Sequence, residues 1–354
     1  MWAGSGWAAS CRRSRFFGGS RRSVFVRTLI LAPFDSRQLL RLRPHLELVH
    51  RSWLETRKLI APDELSAELS SGGFDSVVVE ADFVLDETIE AADGLRLIGV
   101  CRGSTNAIDV ESATERGVLV VNTPGRNAQA VAEHALSLML ALARRVPMAH
   151  EYVRDGRWQN PMEPYVSMRG VELAGRTLGV VGMGAIGRRT ASIGVALGMM
   201  ALAYDPYVSC APEGVVLSGL EKLMSRADFV IVHVPLTPET EGLLDGSMLS
   251  LMRETAFLVN CSDSAVVEQA PLVESLAERR IAGAAFDVFE THPVAPDSPL
   301  LALDNVVLSP HLGGATEETI ERHSRMMADD ILRYLDGQRP VNLVNPEAWD
   351  HRAG

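Results

Sequence analysis

The chain has 354 residues, 47% hydrophobic and 22% charged, an ordinary globular balance with material for two cored domains. A net charge of −11 makes it a poor general binder of nucleic acid or anionic membrane, and no apolar run approaches the ~20 residues a membrane span requires. Four scattered cysteines (Cys11, Cys101, Cys210, Cys261) form no CxxC pair or ligand spacing, which argues against structural zinc and for a reduced, cytoplasmic setting.

The first 27 residues stand apart, with six arginines (Arg12, Arg13, Arg15, Arg21, Arg22, Arg27) and no acid. They read either as a mitochondrial transit peptide, which is Arg- and Ser-rich and acid-poor, or as leader translated from a start placed too far upstream. Only two of the 34 basic residues are lysines, Lys58 and Lys222, the mark of a GC-rich coding sequence. That bias favours the second reading. On either, residues 1–26 are set aside from the fold.

From Val26 the chain alternates strand-like and helix-like pieces. Arg27–Leu31, Leu46–His50, Ser76–Glu80, Leu95–Cys101 and Val118–Asn122 read as strands, with amphipathic stretches such as Ala61–Leu69 and Asp109–Arg116 between them. This predicts a small parallel α/β domain ending near Pro124. Ala128–Arg144 is apolar nearly all round, so the helix it forms must be buried on most faces. One reading packs it between its own domain and a second subunit, giving a homodimer through the 128–144 region. The other buries it within one subunit. Arg154–Gly170, with Trp158, Pro161, Pro164 and Tyr165, reads as an irregular connection.

Thr177–Asp205 carries the most informative pattern. A short apolar run, Leu178–Val181, leads into Gly182, Gly184 and Gly187 spaced as G-x-G-x-x-G, then a helix-like stretch, then a second apolar run ending in Asp205. Gly182 suits a tight turn, Gly184 a close approach of backbone to a pyrophosphate, and Gly187 close packing of helix on strand. The helix N-terminus offers unpaired N–H groups to the phosphates. Asp205, eighteen residues after Gly187, is placed to accept from the ribose hydroxyls of NAD and to repel the extra phosphate of NADP. Strand, loop, helix, strand and acid fall in register, which lifts the motif above a chance glycine loop.

Further strands are expected at Phe229–His233, Ala256–Asn260, Ala284–Val288 and Val306–Leu308. With Leu178–Val181 and Ala201–Tyr204 they make a six-stranded dinucleotide-binding sheet. A last helix, Glu317–Leu335, is expected to cross back to the first domain. The fold class is therefore α/β, two doubly wound Rossmann- or flavodoxin-like domains. The NAD domain (125–311) is inserted into a substrate domain (27–124 and 312–345), with ligand in the crevice between them.

The segments ATERGVLVVNTPGRNAQAVAEHAL, TLGVVGMGAIGR, HVPLTPETEGLL, AAFDVFETHP and LDNVVLSPHLGGAT resemble the D-isomer-specific 2-hydroxyacid dehydrogenases, over about residues 27–345. The resemblance implies an NAD-dependent dehydrogenase acting on a small 2-oxo or 2-hydroxy compound. It implies cofactor contacts from Gly182, Gly184, Ala185, Ile186, Gly187, Asp205, His233, Val234, Pro235, Thr240, Cys261 and Asp287, the last meeting the nicotinamide amide. It places Arg102, Gly103 and Ser104, in CRGSTNAID, on the substrate-binding loop of the first domain. The thiol of Cys261 itself reads as a buried small group, and Glu133 as a cap or internal partner near the hinge.

The family's chemistry rests on an arginine that clamps the substrate carboxylate, a histidine that moves a proton, and an acid that holds the histidine and raises its pKa. The histidine matches His311. Where the arginine belongs this chain has Asp263, and where the acid belongs it has His292, with matching residues on both sides. Exchanging arginine for aspartate changes the site by two charges, each worth about 4 kcal/mol against an anion at ~4 Å in an effective dielectric of 20. His292 is expected to lower the pKa of His311 by like-charge repulsion. Asp263 is a candidate to orient His311, and Arg102 and Arg126 are candidate replacement anion contacts, though such arginines are more often solvated or structural. Two histidines without a third ligand do not predict a metal site.

Three functions follow from these residues. The first is an oxidoreductase whose clamp suits a neutral or cationic group, and the second keeps ordinary 2-hydroxyacid activity through Arg102 or Arg126. The third is an NAD(H)-binding sensor or scaffold without turnover.

Overall fold

Twelve strands in two parallel sheets realise this alternation in the computed structural model, which describes residues 26–350. The Arg-rich leader and Cys11 lie outside the described residues, but for Val26 and Arg27. The first sheet holds β1 (Arg27–Ile30), β2 (Glu47–His50), β3 (Ser76–Val79), β4 (Leu97–Val100) and β5 (Leu119–Asn122), in the order β2-β1-β3-β4-β5. The second holds β6 (Thr177–Val181), β7 (Met200–Tyr204), β8 (Val215–Leu217), β9 (Phe229–Val232), β10 (Phe257–Asn260), β11 (Gly283–Phe286) and β12 (Val306–Leu308). Its order is β12-β11-β10-β9-β6-β7-β8. The central strands are continuous apolar runs because helices cover both faces of each sheet.

The second sheet has seven strands, one more than the sequence predicts. The missed β8, Val215–Leu217, is an apolar run of only three residues at the sheet's edge, too short to stand out as a strand. The segment before the glycine loop is also less irregular than expected. Helices form at Val146–Arg154 and, within the predicted connection, at Glu163–Ser167. Both have proline at the start, where its fixed φ favours a helix and its missing N–H costs nothing.

Two glycines set how closely helices approach the sheets. A Cβ on Gly99 in β4 would lie 2.6 Å from the sulfur of Met327, and one on Gly179 in β6 would lie 2.6 Å from Leu223. The helix Glu317–Leu335 can therefore lie directly on the first sheet, where Met327, Ala328 and Ile331 join the core of Ile30, Val78 and Leu97. It returns the chain to that sheet, as expected.

The burial of the helix Ala128–Arg144 lies largely within its own chain. Its Ala132, Ala135, Met139 and Ala143 are fully or almost fully buried within the chain, packed on the glycine-loop helix and on β10 and β11. Only Glu133, Ser137, Leu140 and Arg144 are exposed. Its all-round apolar character is thus largely satisfied within one chain. Glu133 accepts from Gln129 one turn earlier, at 2.7 Å.

Both crossings between the sheets meet in one buried cluster. Arg126, just before the helix Ala128–Arg144, pairs with Glu80 at the end of β3 at 2.7 Å, with both side chains 10% exposed. Its other nitrogen lies 2.8 Å from Nδ1 of His323 on the returning helix. The second ring nitrogen of His323 lies 2.7 Å from the carbonyl oxygen of Pro33. Burial lowers the His323 pKa to about 4, and the Arg126 charge adds to this. Arg126 is consumed by structure and is not available to a substrate, which corrects its candidacy as an anion contact. Replacing Arg126 by Met would leave Glu80 buried without its cation, so urea denaturation should show a loss of about 3–5 kcal/mol.

Candidate active site

The glycine loop joins β6 to the helix Ala185–Ala196, and its three glycines are required for three different reasons. Gly182 has φ +96°, and a Cβ there would lie 2.6 Å from the His233 carbonyl oxygen. A Cβ on Gly187 would lie 1.9 Å from the Gly182 carbonyl oxygen, so only glycine lets the helix come this close. A Cβ on Gly184 would meet nothing within 4 Å. No contact within the protein demands glycine at position 184, but a phosphate lying on the loop does. The helix above it has no side-chain cap, which leaves its first N–H groups to a ligand.

The remaining predicted cofactor residues surround this loop. Asp205, at the end of β7, accepts from the Met183 N–H at 2.8 Å and the Tyr207 N–H at 2.9 Å, bracing the loop. His233, after β9, is buried with Nε2 2.9 Å from the Thr190 hydroxyl oxygen, and Nδ1 has no partner. Burial lowers its pKa to about 3, so it stands neutral. Val234 packs toward Gly182, and its carbonyl accepts from the Ser262 hydroxyl. Thr240 donates to the Pro235 carbonyl at 2.6 Å and closes that loop. Burial, reinforced by the charge of Asp287, raises the Cys261 pKa, which makes the thiol inert as expected. An open cradle at Gly184, uncapped N–H groups and an acid at the second strand's tip fit NAD, which would lie across Gly182–Gly187 with its ribose toward Asp205.

His311 lies on the loop after β12, in the left-handed region at φ +57°. Its Nδ1 is 3.3 Å from Nε2 of His292, so the two predicted histidines lie side by side. The His311 pKa is lowered, first by withdrawal from water and then by the charges of His292 and Arg102, with Asp287 and Asp263 opposing. The predicted direction holds, but burial is the larger cause. The charges of Arg102 and Asp263 thus both act on His311.

Asp263 makes no hydrogen bond to His311 among the described residues. Its Oδ1 accepts from the Ala265 N–H at 3.1 Å and caps the 3-10 turn Ser264–Val266. That corrects the idea that it orients the histidine. Arg102 is exposed, while its backbone carbonyl accepts from the Thr123 N–H at 2.9 Å. The Gly103 carbonyl accepts from the Asn122 side chain at 2.7 Å, and the Ser104 hydroxyl from the Asn106 N–H at 3.3 Å. These bonds fix the loop, with the Arg102 side chain exposed.

Two roles were not legible in the sequence. Asp287 is 2% exposed, and its carboxylate accepts from the Leu312 N–H at 2.8 Å and the Gly313 N–H at 2.7 Å, the two residues after His311. His134, on the helix Ala128–Arg144, puts Nε2 3.1 Å from Asp287 Oδ1 and 3.1 Å from the Ser309 hydroxyl. Together they hold the loop that presents His311. No spacing rule links position 134 to 287, so only the fold could reveal the pair. Among the described residues no group of three or more His, Cys, Asp or Glu side chains is placed to hold a metal ion.

Residues 136–313 match the family model for the D-isomer specific 2-hydroxyacid dehydrogenase, NAD binding domain. The chain belongs to the D-isomer-specific 2-hydroxyacid dehydrogenase family. It is 44% identical over 264 residues to a glyoxylate reductase of Korarchaeum cryptofilum, covering 74% of this chain and 79% of that one. It is 38% identical over 296 residues to a D-3-phosphoglycerate dehydrogenase of Archaeoglobus fulgidus, covering 82% of this chain but 55% of that one. Among solved structures it is similar to an acyclic imino acid reductase in complex with NADPH and D-Arg. That likeness has a TM-score of 0.78 at 26% identity and covers 90% of this chain and 100% of the other. This family member is an NAD-dependent oxidoreductase with two Rossmann-like domains. No helix among its described residues is long and apolar enough to cross a membrane.

The glycine loop yields two contrasting expectations. Gly187→Ala should fail to fold or lose thermal stability sharply, because its Cβ has no space. Gly184→Val should keep the melting temperature of the parent yet weaken NADH binding by about tenfold or more in a fluorescence titration.

Proposed function

We propose that this dehydrogenase transfers hydride to or from a small 2-oxo or 2-hydroxy compound, or its imino or amino counterpart, presenting a neutral or cationic group to Asp263. The observation that carries this reading is the aspartate itself, in the family's arginine position and acting electrostatically on His311. A carboxylate there repels the anion that the usual guanidinium would clamp, and attracts an ammonium or iminium. The assignment of Arg102, Gly103 and Ser104 to substrate, of Asp287 to the nicotinamide, and of residues 27–124 with 312–345 and 125–311 to the two domains belongs to the same reading.

NAD supplies or accepts the hydride when bound, and Asp205 disfavours the phosphate of NADP. Residue His311 moves the proton. Its lowered pKa leaves it neutral near pH 7, ready to accept a proton and short of one to give. Ketone reduction therefore weakens as pH rises through this lowered value. A protonated imine already carries the proton that a ketone must take from His311, so reduction at such a carbon makes no acid demand on the histidine. The imino acid reductase with D-Arg in its site supports the scaffold's compatibility with nitrogen chemistry.

A homodimer through the 128–144 region is part of this reading, and the segment that follows it adds to the surface. Beyond the helix Ala128–Arg144, Trp158, Met162, Tyr165 and Val166 are 55%, 67%, 74% and 69% exposed. So much apolar surface on one short segment suits burial against a second copy. Cytoplasmic residence fits the free cysteines, and a mitochondrial one would require the Arg-rich leader to be a transit peptide.

NADH oxidation should be followed over 2-keto acids, neutral ketones, and ketones supplied with ammonia or amines, for the parent and for Asp263→Arg, His292→Glu. The parent is expected to turn over neutral or nitrogen-bearing substrates, and only the double variant the keto acids. Efficient reduction of keto acids by the parent would transfer the anion contact to Arg102. Silence from both proteins with NADH still bound would favour a sensor. His292→Glu alone should move the alkaline limb of ketone reduction upward by about one pH unit, since a carboxylate raises the His311 pKa. By light scattering the parent should have about twice the 38.4 kDa chain mass, and Tyr165→Asp, Val166→Asp should shift it to monomer.

A further inference from the structure

A second cavity, of about 200 Å³, opens at the C-terminal ends of β1, β2 and β3, lined by Arg51, Trp53, Thr56, Lys58, Glu64 and Asp82. None of these residues belongs to the His311 site. The strand order β2-β1-β3 makes this the reversal point of the first sheet, where connections from neighbouring strands leave on opposite sides and a crevice forms. Asp82 is 2% exposed; its Oδ1 accepts from the Ile60 N–H at 2.9 Å, and its Oδ2 has no partner. A buried carboxylate oxygen without a donor is costly, and native structures rarely leave one without reason. Arg51 is already paired with Glu68, whereas exposed Lys58 makes no ion pair among the described residues.

We infer that this cavity is a binding site for a small zwitterion of the α-amino acid class, its ammonium directed to Asp82 and its carboxylate to Lys58. The volume is below the ~300 Å³ of drug-sized sites and admits only a few heavy atoms. Glu64 adds negative charge for the ammonium, and Trp53 supplies an aromatic wall. Burial and the nearby charge of Glu80 raise the Asp82 pKa, a penalty that an ammonium at Oδ2 would relieve. The wall of the cavity is also wired to the domain junction. Trp53 Nε1 donates to Glu80 at 3.2 Å, and Glu80 holds Arg126. A ligand that shifts Trp53 therefore acts on the cluster through which both chain crossings pass, which gives the site a regulatory character. The inference does not depend on the substrate assigned to His311.

Glycine and L-alanine should be titrated into the full-length protein by calorimetry and tryptophan fluorescence, with ethylamine and acetate as half-ligands. Binding of a zwitterion is expected, with a fluorescence change abolished in Trp53→Phe. Affinity should fall about tenfold or more in Asp82→Asn and, separately, in Lys58→Met, which alters only the exposed rim. Asp263→Ala should leave it unchanged, showing that the signal does not arise in the hydride-transfer cleft. No binding at tens of millimolar, equal binding of ethylamine and glycine, or affinity unmoved by Lys58→Met would each overturn the inference.

Discussion

One buried carboxylate, Asp287, holds the catalytic end of the molecule in shape. It sits just beyond β11, accepts from two successive backbone N–H groups after His311, and is steadied by His134 from a helix that follows the first crossing. Charge-assisted bonds to backbone donors are strong and directional. They hold the chain in a turn that places a non-glycine residue at φ +57°. Such a conformation persists only where its surroundings over-determine it. The neighbouring Gly313 is part of the same constraint, since a Cβ there would lie 2.9 Å from the Asp287 oxygen.

Around that fixed loop the proposed function rests on two charge differences set in an unaltered frame. Gly182, Gly184, Gly187 and Asp205 keep the spacing and geometry of a dinucleotide site. The two substitutions are of another kind. Asp263 removes a cation and adds an anion, while His292 replaces an anion with a second imidazole at hydrogen-bonding distance. On the reading proposed above, both differences favour substrates that carry their own positive charge, or none.

The strands and the long helices were legible because their physics is local. Runs such as Val77–Val79 and Val230–Val232 are buried on both faces, and Ala128–Arg144 and Glu317–Leu335 carry their periodicity over many turns. The glycine loop was legible because turn, phosphate approach and helix packing each require glycine at a fixed place. What escaped was non-local or weakly patterned. β8 has three half-exposed residues at an edge, and the helix Glu163–Ser167 has a single turn opened by proline. His134 reaches Asp287 across 153 positions, and Arg126 finds His323 across 197. The pairing of Arg126 with Glu80 decided between a substrate contact and a structural one, and nothing in the sequence around position 126 encodes that choice.

The Glu80–Arg126–His323 cluster also limits how the molecule can move. Two-domain enzymes with the chain crossing twice are often pictured as swinging on a pair of independent straps. Here the outgoing strap carries Arg126 and the returning one carries His323, and both are fastened to the end of the first sheet through Glu80 and Pro33. Separating them would strand a cation and a carboxylate away from water. The two straps are thereby riveted to each other at one point. Any relative movement of the two sheets must therefore keep the outgoing and returning segments in step.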